Sequence, residues 1–210
     1  MKEALDFFKK MSENQNVTCA SVKINPSNDF TDYDAEFILR YANSQTYILD
    51  LGTGTGLTIN KISDKVGKIT VVEPFENFTK FIQKNPNIEI FNQTLSDFEP
   101  KNKYHLLTCF GIMHYFSEEE VLPLYKKYLL ALEEHGKIIV KNQFGVKEDV
   151  IVSGYSNELE TDYFSHYRYL NKEINIIKNA GYKNIEVFDI YPPECNRWEN
   201  THFYAIVAEK

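Results

Sequence analysis

The stretch 48-ILDLGTGTGL-57 decides the fold, because an apolar run ends in an aspartate and three glycines follow at alternate positions. A short apolar run followed by glycines is typical of a buried strand that leads into a tight turn. A dinucleotide fingerprint would place its third glycine at Leu57, and a P-loop would continue as G-K-[ST]. Neither pattern is present, and a carboxylate at Asp50 would repel a pyrophosphate. The turn is therefore predicted to bind a ligand that presents a cation or hydroxyl groups there.

Segments rich in Ile, Val and Leu alternate with helix-like segments around this turn. The predicted strands are 47–51, 68–73, 87–92, 104–109, 137–142, 183–191 and 202–210. The predicted helices are 3–13, 31–43, 57–65, 75–84, 118–133 and 166–180. Alternation of this kind favours a parallel sheet with right-handed crossovers. The prediction is one doubly wound α/β domain over residues 1–210, with residues 1–45 as an N-terminal helical cap.

The composition is that of an ordinary soluble chain, with a formal net charge of −7 that disfavours a broad nucleic-acid-binding surface. The three cysteines (Cys19, Cys109 and Cys195) are far apart, and no C-x-x-C or H-x-x-x-H spacing indicates a metal site. The first 15 residues lack the apolar core of a signal peptide, and no apolar run approaches the roughly 20 residues of a membrane span. These features predict a cytoplasmic protein without membrane, nucleic-acid or metal partners.

Glu73 is the second acidic residue that bears on the ligand. It ends the second predicted strand, 21 residues beyond Gly52. Because the carboxyl ends of neighbouring strands in a doubly wound sheet line one crevice, Glu73 is expected beside the glycine turn. A carboxylate there can accept two hydrogen bonds from a ribose diol. The two acidic residues thus favour a ligand that presents a ribose diol to Glu73 and a cation or hydroxyl groups to Asp50.

Together with VVEPF (71–75), NQTLSDF (92–98) and YHLLTCFGIMHYF (104–116), these features resemble a class I S-adenosylmethionine-dependent methyltransferase over roughly residues 41–142. The resemblance implies a seven-stranded, mostly parallel sheet in the order 3-2-1-4-5-7-6, with an antiparallel last strand and helices on both faces. It implies S-adenosyl-L-methionine as methyl donor and S-adenosyl-L-homocysteine as product. The chain departs from the family where Asp is frequent, at Thr94 and at His105. The implied cofactor contacts are Tyr33, Asp50, Gly52, Thr53, Gly54, Gly56, Glu73, Pro74, Phe75, Thr94, Leu95, Cys109, Phe110 and Gly111.

His114 is the candidate catalytic base, because it follows the fourth strand and a histidine titrates near neutrality. The alternative is that His114 packs against the cofactor or caps the next helix. The acceptor pocket is expected from the N-terminal helices and from the insertions 144–169 and 192–201. The predicted substrate contacts are Asn142, Tyr155, Tyr163, Tyr167, Arg168 and Arg197, with the two arginines suited to an anionic group. The other reading of 155–169 is an aromatic helix face packed on the sheet.

The predicted function is transfer of a methyl group to an oxygen or nitrogen atom of a small, possibly anionic molecule. Two alternatives remain open at this point. The acceptor could be a macromolecule (protein, RNA or glycan), or the chain could bind S-adenosylmethionine without catalysis. An NAD-dependent dehydrogenase is disfavoured by the glycine spacing. The residues leave the acceptor open, and they fit a monomer or a homodimer.

Overall fold

A computed structural model of the protein describes residues 2–22, 29–157, 160–195 and 198–210. The strands are β1 (Tyr47–Leu51), β2 (Lys68–Val72), β3 (Ile88–Phe91), β4 (Tyr104–Phe110), β5 (Leu132–Gly145), β6 (Val150–Ser156), β7 (Thr161–Tyr167), β8 (Lys183–Phe188) and β9 (Thr201–Glu209). The helices are α1 (Lys2–Glu13), α2 (Thr31–Leu39), α3 (Leu57–Ile62), α4 (Glu76–Thr79), α5 (Glu118–Ala131) and α6 (Leu170–Asn179). Short 3₁₀ turns lie at Met113–Tyr115 and Pro193–Cys195.

Seven strands form one sheet in the order β3-β2-β1-β4-β5-β9-β8. Strands β1 to β5 pair in parallel, and β9 runs antiparallel to both of its neighbours. The mostly parallel α/β sheet is as predicted, but the order 3-2-1-4-5-7-6 needs correction in detail. Two strands that the sequence did not reveal, β6 and β7, precede the last two strands of the sheet and change their numbers to 9 and 8.

The extra strands form an antiparallel pair, called the hairpin below, from Val150↔Tyr167 to Ser156↔Thr161. This corrects the prediction of a helix over 166–180, because α6 begins only at Leu170. The alternative of an aromatic helix face at 155–169 is wrong for the same reason. The residues at 161–167 are β-branched or aromatic at several positions and alternate in burial near the end, as a half-buried strand does.

Each face of the sheet carries its own apolar core and its own helices. On one face, α5 and α6 bury side chains such as Tyr125, Tyr128 and Ile177 against the sheet. On the other face, α2 and α3 bury Phe37 and Ile59. Strands β1, β2 and β4 lie between the two cores, which explains why they are apolar almost throughout. The sheet is therefore buried between two apolar layers.

Local hydrogen bonds fix the start of α5 and the loop after β1 at the edge of the sheet where the carboxyl ends of the parallel strands meet. Helix α5 starts with a capping box, in which Ser117 Oγ accepts from the Glu120 N–H at 3.3 Å and Glu120 Oε2 accepts from the Ser117 N–H at 2.8 Å. This cap fixes the chain that leaves β4. The loop after β1 is joined to β2 by a hydrogen bond from the Gly52 N–H to the Val72 carbonyl at 2.8 Å.

Among the described residues, no helix is long and apolar enough to span a membrane.

Candidate active site

A cavity of about 560 Å³ lies at the carboxyl ends of the parallel strands. The glycine loop and the ends of β2 and β4 form one side of it, and α1, the hairpin and Asn142 of β5 form the other. This is the crevice in which doubly wound sheets bind ligands. The volume is within the range of small-molecule sites. The side formed by the glycine loop is called the donor side, and the side formed by α1 and the hairpin is called the acceptor side.

The glycine loop brings bare backbone to the donor side. Gly52, Gly54 and Gly56 have φ values of 75°, 58° and 76°, which favour glycine over any residue with a Cβ. A Cβ at Gly52 would also lie 2.7 Å from a side-chain carbon of Ile112. The loop therefore needs glycine for both its conformation and its close packing, and it leaves room for a ligand to approach the backbone.

Two buried carboxyl groups flank this loop. Gly54 N–H donates to Glu73 Oε2 at 2.9 Å and Phe75 N–H donates to Oε1 at 3.2 Å, so Glu73 is held against the loop with lone pairs left over. Asp50 accepts from the hydroxyls of Thr53 and Thr108. Burial raises the pKa of Asp50 and of Glu73 to about 7 each. A ligand with positive charge and a ribose diol would favour the ionised forms, so both groups fit S-adenosylmethionine.

His114 and Asn142 meet on the acceptor side. His114 Nδ1 lies 3.3 Å from Asn142 Oδ1, and because that oxygen only accepts, Nδ1 carries the proton. Burial lowers the pKa of His114 to about 3, and the charges of Arg168 and Lys141 act in the same direction. The ring is therefore neutral with a lone pair on Nε2. Among the described residues, His114 Nε2 and Asn142 Nδ2 are buried without a hydrogen-bond partner, so both can serve a ligand.

Aromatic rings enclose this pair of side chains. Phe7 on α1 packs edge-on against Tyr163 of the hairpin with ring centroids 5.1 Å apart, and Phe8 packs against Tyr115 at 5.2 Å. Tyr167 lies 5.3 Å from the His114 ring. All five aromatic rings line the cavity together with His114. The acceptor side is thus an aromatic wall with a few polar atoms, the usual composition of a small-molecule pocket.

Lys141 forms a buried cluster with Asp34 and Tyr191 beside the donor side. Lys141 Nζ lies 3.1 Å from Asp34 Oδ2 and 2.8 Å from the Tyr191 hydroxyl, which donates to Asp34 Oδ1 at 2.6 Å. All three residues line the cavity. This cluster was not predicted from the sequence. A signal was present, because Asp34 falls on the same helical stripe as Phe37, Ile38 and Tyr41, which predicts an inward-facing side chain.

Most of the predicted donor-side residues reach the cavity. Those that line it are Asp50, Gly52, Thr53, Gly54, Glu73, Pro74, Phe75, Thr94, Leu95, Phe110 and Gly111. Three predicted contacts need correction. Tyr33 is 43% exposed on α2, and its neighbour Asp34 faces the cavity instead. Cys109 is fully buried in the apolar core, and Gly56 serves the turn into α3, where a Cβ would lie 2.5 Å from Ile82.

The predicted acceptor-side residues divide in the same way. His114, Asn142, Tyr163 and Tyr167 line the cavity, whereas Tyr155 is 60% exposed and lies outside it. Arg168 was predicted to bind an anionic group of the substrate, and the structure places it elsewhere. Its guanidinium is buried outside the cavity, pairs with Glu173, and donates to the carbonyls of Phe116 and Met113 at 2.6 Å each. Arg197 lies outside the residues that the structure describes.

Comparison with known proteins places the chain among methyltransferases. Residues 11–185 match the model of a family described as AdoMet dependent proline di-methyltransferase. An uncharacterized methyltransferase from Staphylococcus carnosus is 17% identical over 184 residues, covering 82% of this chain and 89% of that protein.

Two solved structures share the fold. A complex of DhpI with SAM and HEP has a TM-score of 0.73 at 14% identity, covering 100% of this chain and 97% of the other. The 1,6-didemethyltoxoflavin-N1-methyltransferase of Burkholderia thailandensis, with its substrate and S-adenosylhomocysteine bound, has a TM-score of 0.68 at 12% identity and covers 88% and 80% of the two chains. By the match to the family model over residues 11–185, the chain belongs to the AdoMet dependent proline di-methyltransferase family and is an S-adenosylmethionine-dependent methyltransferase.

Proposed function

We propose that the enzyme methylates the nitrogen atom of an amine, which binds uncharged between His114, Asn142 and the aromatic wall. The observation that carries this proposal is the buried Nε2 of His114, which has no hydrogen-bond partner among the described residues. A lone pair in that position accepts a hydrogen bond from an N–H group of the acceptor. Asn142 Nδ2, also without a described partner, donates to a carbonyl or similar oxygen of the same molecule.

The low basicity of His114 favours nitrogen over oxygen as the methylated atom. S-adenosylmethionine, when bound, supplies a methyl group that is already attached to a good leaving group. A hydroxyl acceptor must lose its proton to a base, and a histidine with a pKa of about 3 holds a proton poorly. A neutral amine keeps its proton as its nitrogen becomes an ammonium, so orientation by His114 is sufficient. His114 is thus the proposed positioning group, and the proton of the methylated ammonium leaves with the product and is lost to solvent.

The charges of the cavity disfavour an anionic acceptor. They favour a neutral acceptor and a neutral or cationic product. Its described lining contains three carboxyl groups (Asp34, Asp50 and Glu73) and one cation, Lys141, which is paired with Asp34. Aromatic faces stabilise a nearby ammonium by cation–π attraction. The earlier suggestion of an anionic acceptor relied on Arg168 and Arg197. With Arg168 committed to the core, we propose an acceptor without net negative charge.

A secondary amine such as proline agrees with this chemistry and with the description of the family. The first candidate is a small molecule, in line with the toxoflavin methyltransferase named above. A second candidate is the N-terminal amine of a peptide, since a second depression of about 380 Å³ adjoins the cavity. Tyr163 lines both, and the acidic side chains of Glu3 and Asp162 line the depression alone.

Transfer of a labelled methyl group to matched acceptors tests the proposal. Alaninamide and lactamide have the same carbon skeleton, but alaninamide carries an amine where lactamide carries a hydroxyl. Prolinamide and a peptide with N-terminal proline present the same amine on acceptors of different size. We expect label on the amines and none on lactamide. Label on lactamide without label on alaninamide would overturn the assignment to nitrogen. The ratio of peptide to prolinamide labelling decides between the two candidates.

Substitution of His114 tests the positioning role. In His114→Gln we expect kcat/KM to fall by about 100-fold or more at saturating cofactor, while cofactor affinity stays within a few-fold of the parent. The matched control is His105→Gln, because His105 is exposed and its Nδ1 accepts from the Tyr47 N–H at 3.0 Å, away from the cavity. An unchanged kcat/KM in His114→Gln would exclude the role.

A further inference from the structure

The cluster of Lys141, Asp34 and Tyr191 has hydrogen-bonding capacity that its own contacts do not use. An ammonium carries three N–H donors. Two of those of Lys141 are directed to Asp34 Oδ2 and to the Tyr191 hydroxyl, and among the described residues no third hydrogen-bond partner is found. The side chain of Lys141 is only 11% exposed, so bulk water satisfies the remaining donor poorly. A buried ammonium in this state is suited to bind an anionic group from the cavity.

The neighbours of the cluster show which end of the cavity it serves. The charge of Asp34 is close enough to Asp50 to help raise the pKa of that carboxyl, after burial as the main cause. Lys141 Nζ also lies 5.1 Å from the ring centroid of Phe110, which lines the cavity at the end of β4. The cluster therefore lies beside the donor side, near Asp50 and the glycine loop. The resemblance to class I methyltransferases implies that the glycine loop approaches the methionine part of the cofactor, so the cluster lies near that part.

The methionine part carries both an ammonium and a carboxylate, and the donor side must satisfy both. Asp50 and the loop carbonyls suit the ammonium. The glycine loop 52–56 contains only Gly and Thr, so it supplies no cationic side chain for the carboxylate. Among the described residues that line the cavity, Lys141 is the single Lys or Arg. A carboxylate buried beside Asp50 and Glu73 without a cation would be strongly unfavourable.

We propose that Lys141 binds the α-carboxylate of S-adenosylmethionine, and that Asp34 and Tyr191 hold its ammonium in the required position. Asp34 fixes one donor and Tyr191 a second, which leaves the third directed at the cofactor. The proposal concerns the methyl donor and does not depend on which acceptor is methylated. It also explains why a lysine is buried near the end of β5, on the face opposite to Asn142.

Binding of cofactor analogues to Lys141→Met tests the proposal without an activity assay. Decarboxylated S-adenosylmethionine lacks the carboxylate and keeps the ammonium and the sulfonium. By calorimetry we expect the variant to bind S-adenosylmethionine about 10- to 100-fold more weakly than the parent, the effect of losing a hydrogen bond to a charged group. Its affinity for the decarboxylated analogue should be unchanged or higher. Equal losses for the two ligands, or no loss for either, would overturn the proposal.

Two further variants separate binding from folding. Lys137→Met is the matched control, since Lys137 lies on the same strand and pairs with Glu209 at 2.7 Å outside the cavity. It should leave both affinities unchanged. The double variant Asp34→Asn with Lys141→Met removes both members of the buried pair and so avoids an unpaired carboxylate. If the double variant still discriminates against the carboxylate as Lys141→Met does, the loss is specific; if it binds both ligands like the parent, the assignment is wrong.

Discussion

Among the described residues, a buried ion pair lies on each face of the sheet, and the two pairs differ in their position relative to the cavity. Arg168 and Glu173 have side chains that are 1% and 0% exposed, do not line the cavity, and form hydrogen bonds with Tyr125 and with two backbone carbonyls. The side chains of Lys141 and Asp34 are 11% and 6% exposed and line the cavity. One N–H of the lysine has no described partner.

This contrast separates a structural cluster from a binding cluster. Charges buried without full pairing are costly, so a protein keeps them where a ligand completes the set. The arginine cluster ties the 3₁₀ turn after β4 to the start of α6, and neither Arg168 nor Glu173 lines the cavity. The lysine cluster lines the cavity and leaves one N–H of Lys141 without a described partner. Residue type alone would have assigned the roles the other way round.

The largest expected effect is on stability, in Arg168→Met. Removing the guanidinium leaves Glu173 buried with an uncompensated charge and leaves the carbonyls of Met113 and Phe116 unpaired. We expect the free energy of unfolding to fall by about 3–5 kcal/mol, measured by chemical denaturation. Cofactor affinity of the folded fraction should not change. Arg40→Met, at an exposed position at the end of α2, is the control and should cost far less.

A loss below about 1 kcal/mol in Arg168→Met would contradict the structural role. The double variant Arg168→Met with Glu173→Gln provides a second check. It removes the stranded charge, so it should be more stable than the single variant.

The second expected effect is the difference between Glu173→Gln and Asp34→Asn. Both substitutions keep shape and remove one negative charge from a buried pair. Glu173→Gln isolates Arg168 in the core and should cost about 3–5 kcal/mol of unfolding free energy. In Asp34→Asn, Lys141 keeps its contact with Tyr191 beside the cavity, so we expect a loss of about 1–2 kcal/mol. Equal losses in the two variants would mean that the two pairs are structurally equivalent.

The third effect is the release of protons from Asp50 and Glu73 when the cofactor binds to the donor side, beside Lys141. With pKa values of about 7, Asp50 and Glu73 are each half protonated at pH 7. A positively charged ligand favours their ionised forms, so binding should release about one proton in total at pH 7 and almost none at pH 9. Calorimetry in buffers of different ionisation enthalpy measures this number, and Asp50→Asn should reduce it. Absence of release at pH 7 would argue against ionic contact with these groups.

The same carboxyl groups set a pH dependence of stability without cofactor. Their folded pKa values are raised above the ordinary values of 3.8 and 4.5. The stability that they contribute is therefore present below about pH 4 and is lost as the pH rises through about 7. In Asp50→Asn, unfolding free energies measured from pH 4 to pH 8 should depend less on pH than in the parent.

The smallest expected effect is on KM for the acceptor. It compares two tyrosines of the hairpin, one in the cavity and one at the surface. Tyr163 lines the cavity and packs on Phe7, whereas Tyr155 is exposed outside it. We expect Tyr163→Ala to raise KM for the acceptor by about 10-fold and Tyr155→Ala to change it by less than about 2-fold. Steady-state kinetics with the labelled methyl donor measures both. A larger effect at Tyr155 would move the acceptor site to the outer depression.

The donor side could be predicted from the sequence because its signals are local. The glycines, Asp50 and Glu73 each follow a strand that is recognisable by its apolar run, and parallel strands bring their carboxyl ends together. The enzyme class and the methyl donor were predicted correctly on that basis.

The acceptor side depends on contacts between distant segments, which no local pattern reveals. Arg168 was expected at the substrate because an arginine among aromatics suits a pocket, yet its partners are Glu173 and carbonyls about 50 residues earlier in the chain. Tyr33 and Asp34 are adjacent, and the exact turn of α2 decides which one faces inward. The hairpin was missed because its aromatic residues fit a helix face as well as a strand.

The attachment of the hairpin has a consequence for how this enzyme diversifies. Gly145 and Tyr169 are joined by a backbone bridge, and the Gly145 N–H donates to the Arg168 carbonyl at 3.0 Å, so the chain leaves the sheet and returns to it at one point. A segment whose two ends meet can be lengthened, shortened or replaced without altering the order of the strands. Part of the proposed acceptor side is thus carried on an exchangeable segment, while the residues proposed to hold the methyl donor belong to the sheet and its loops.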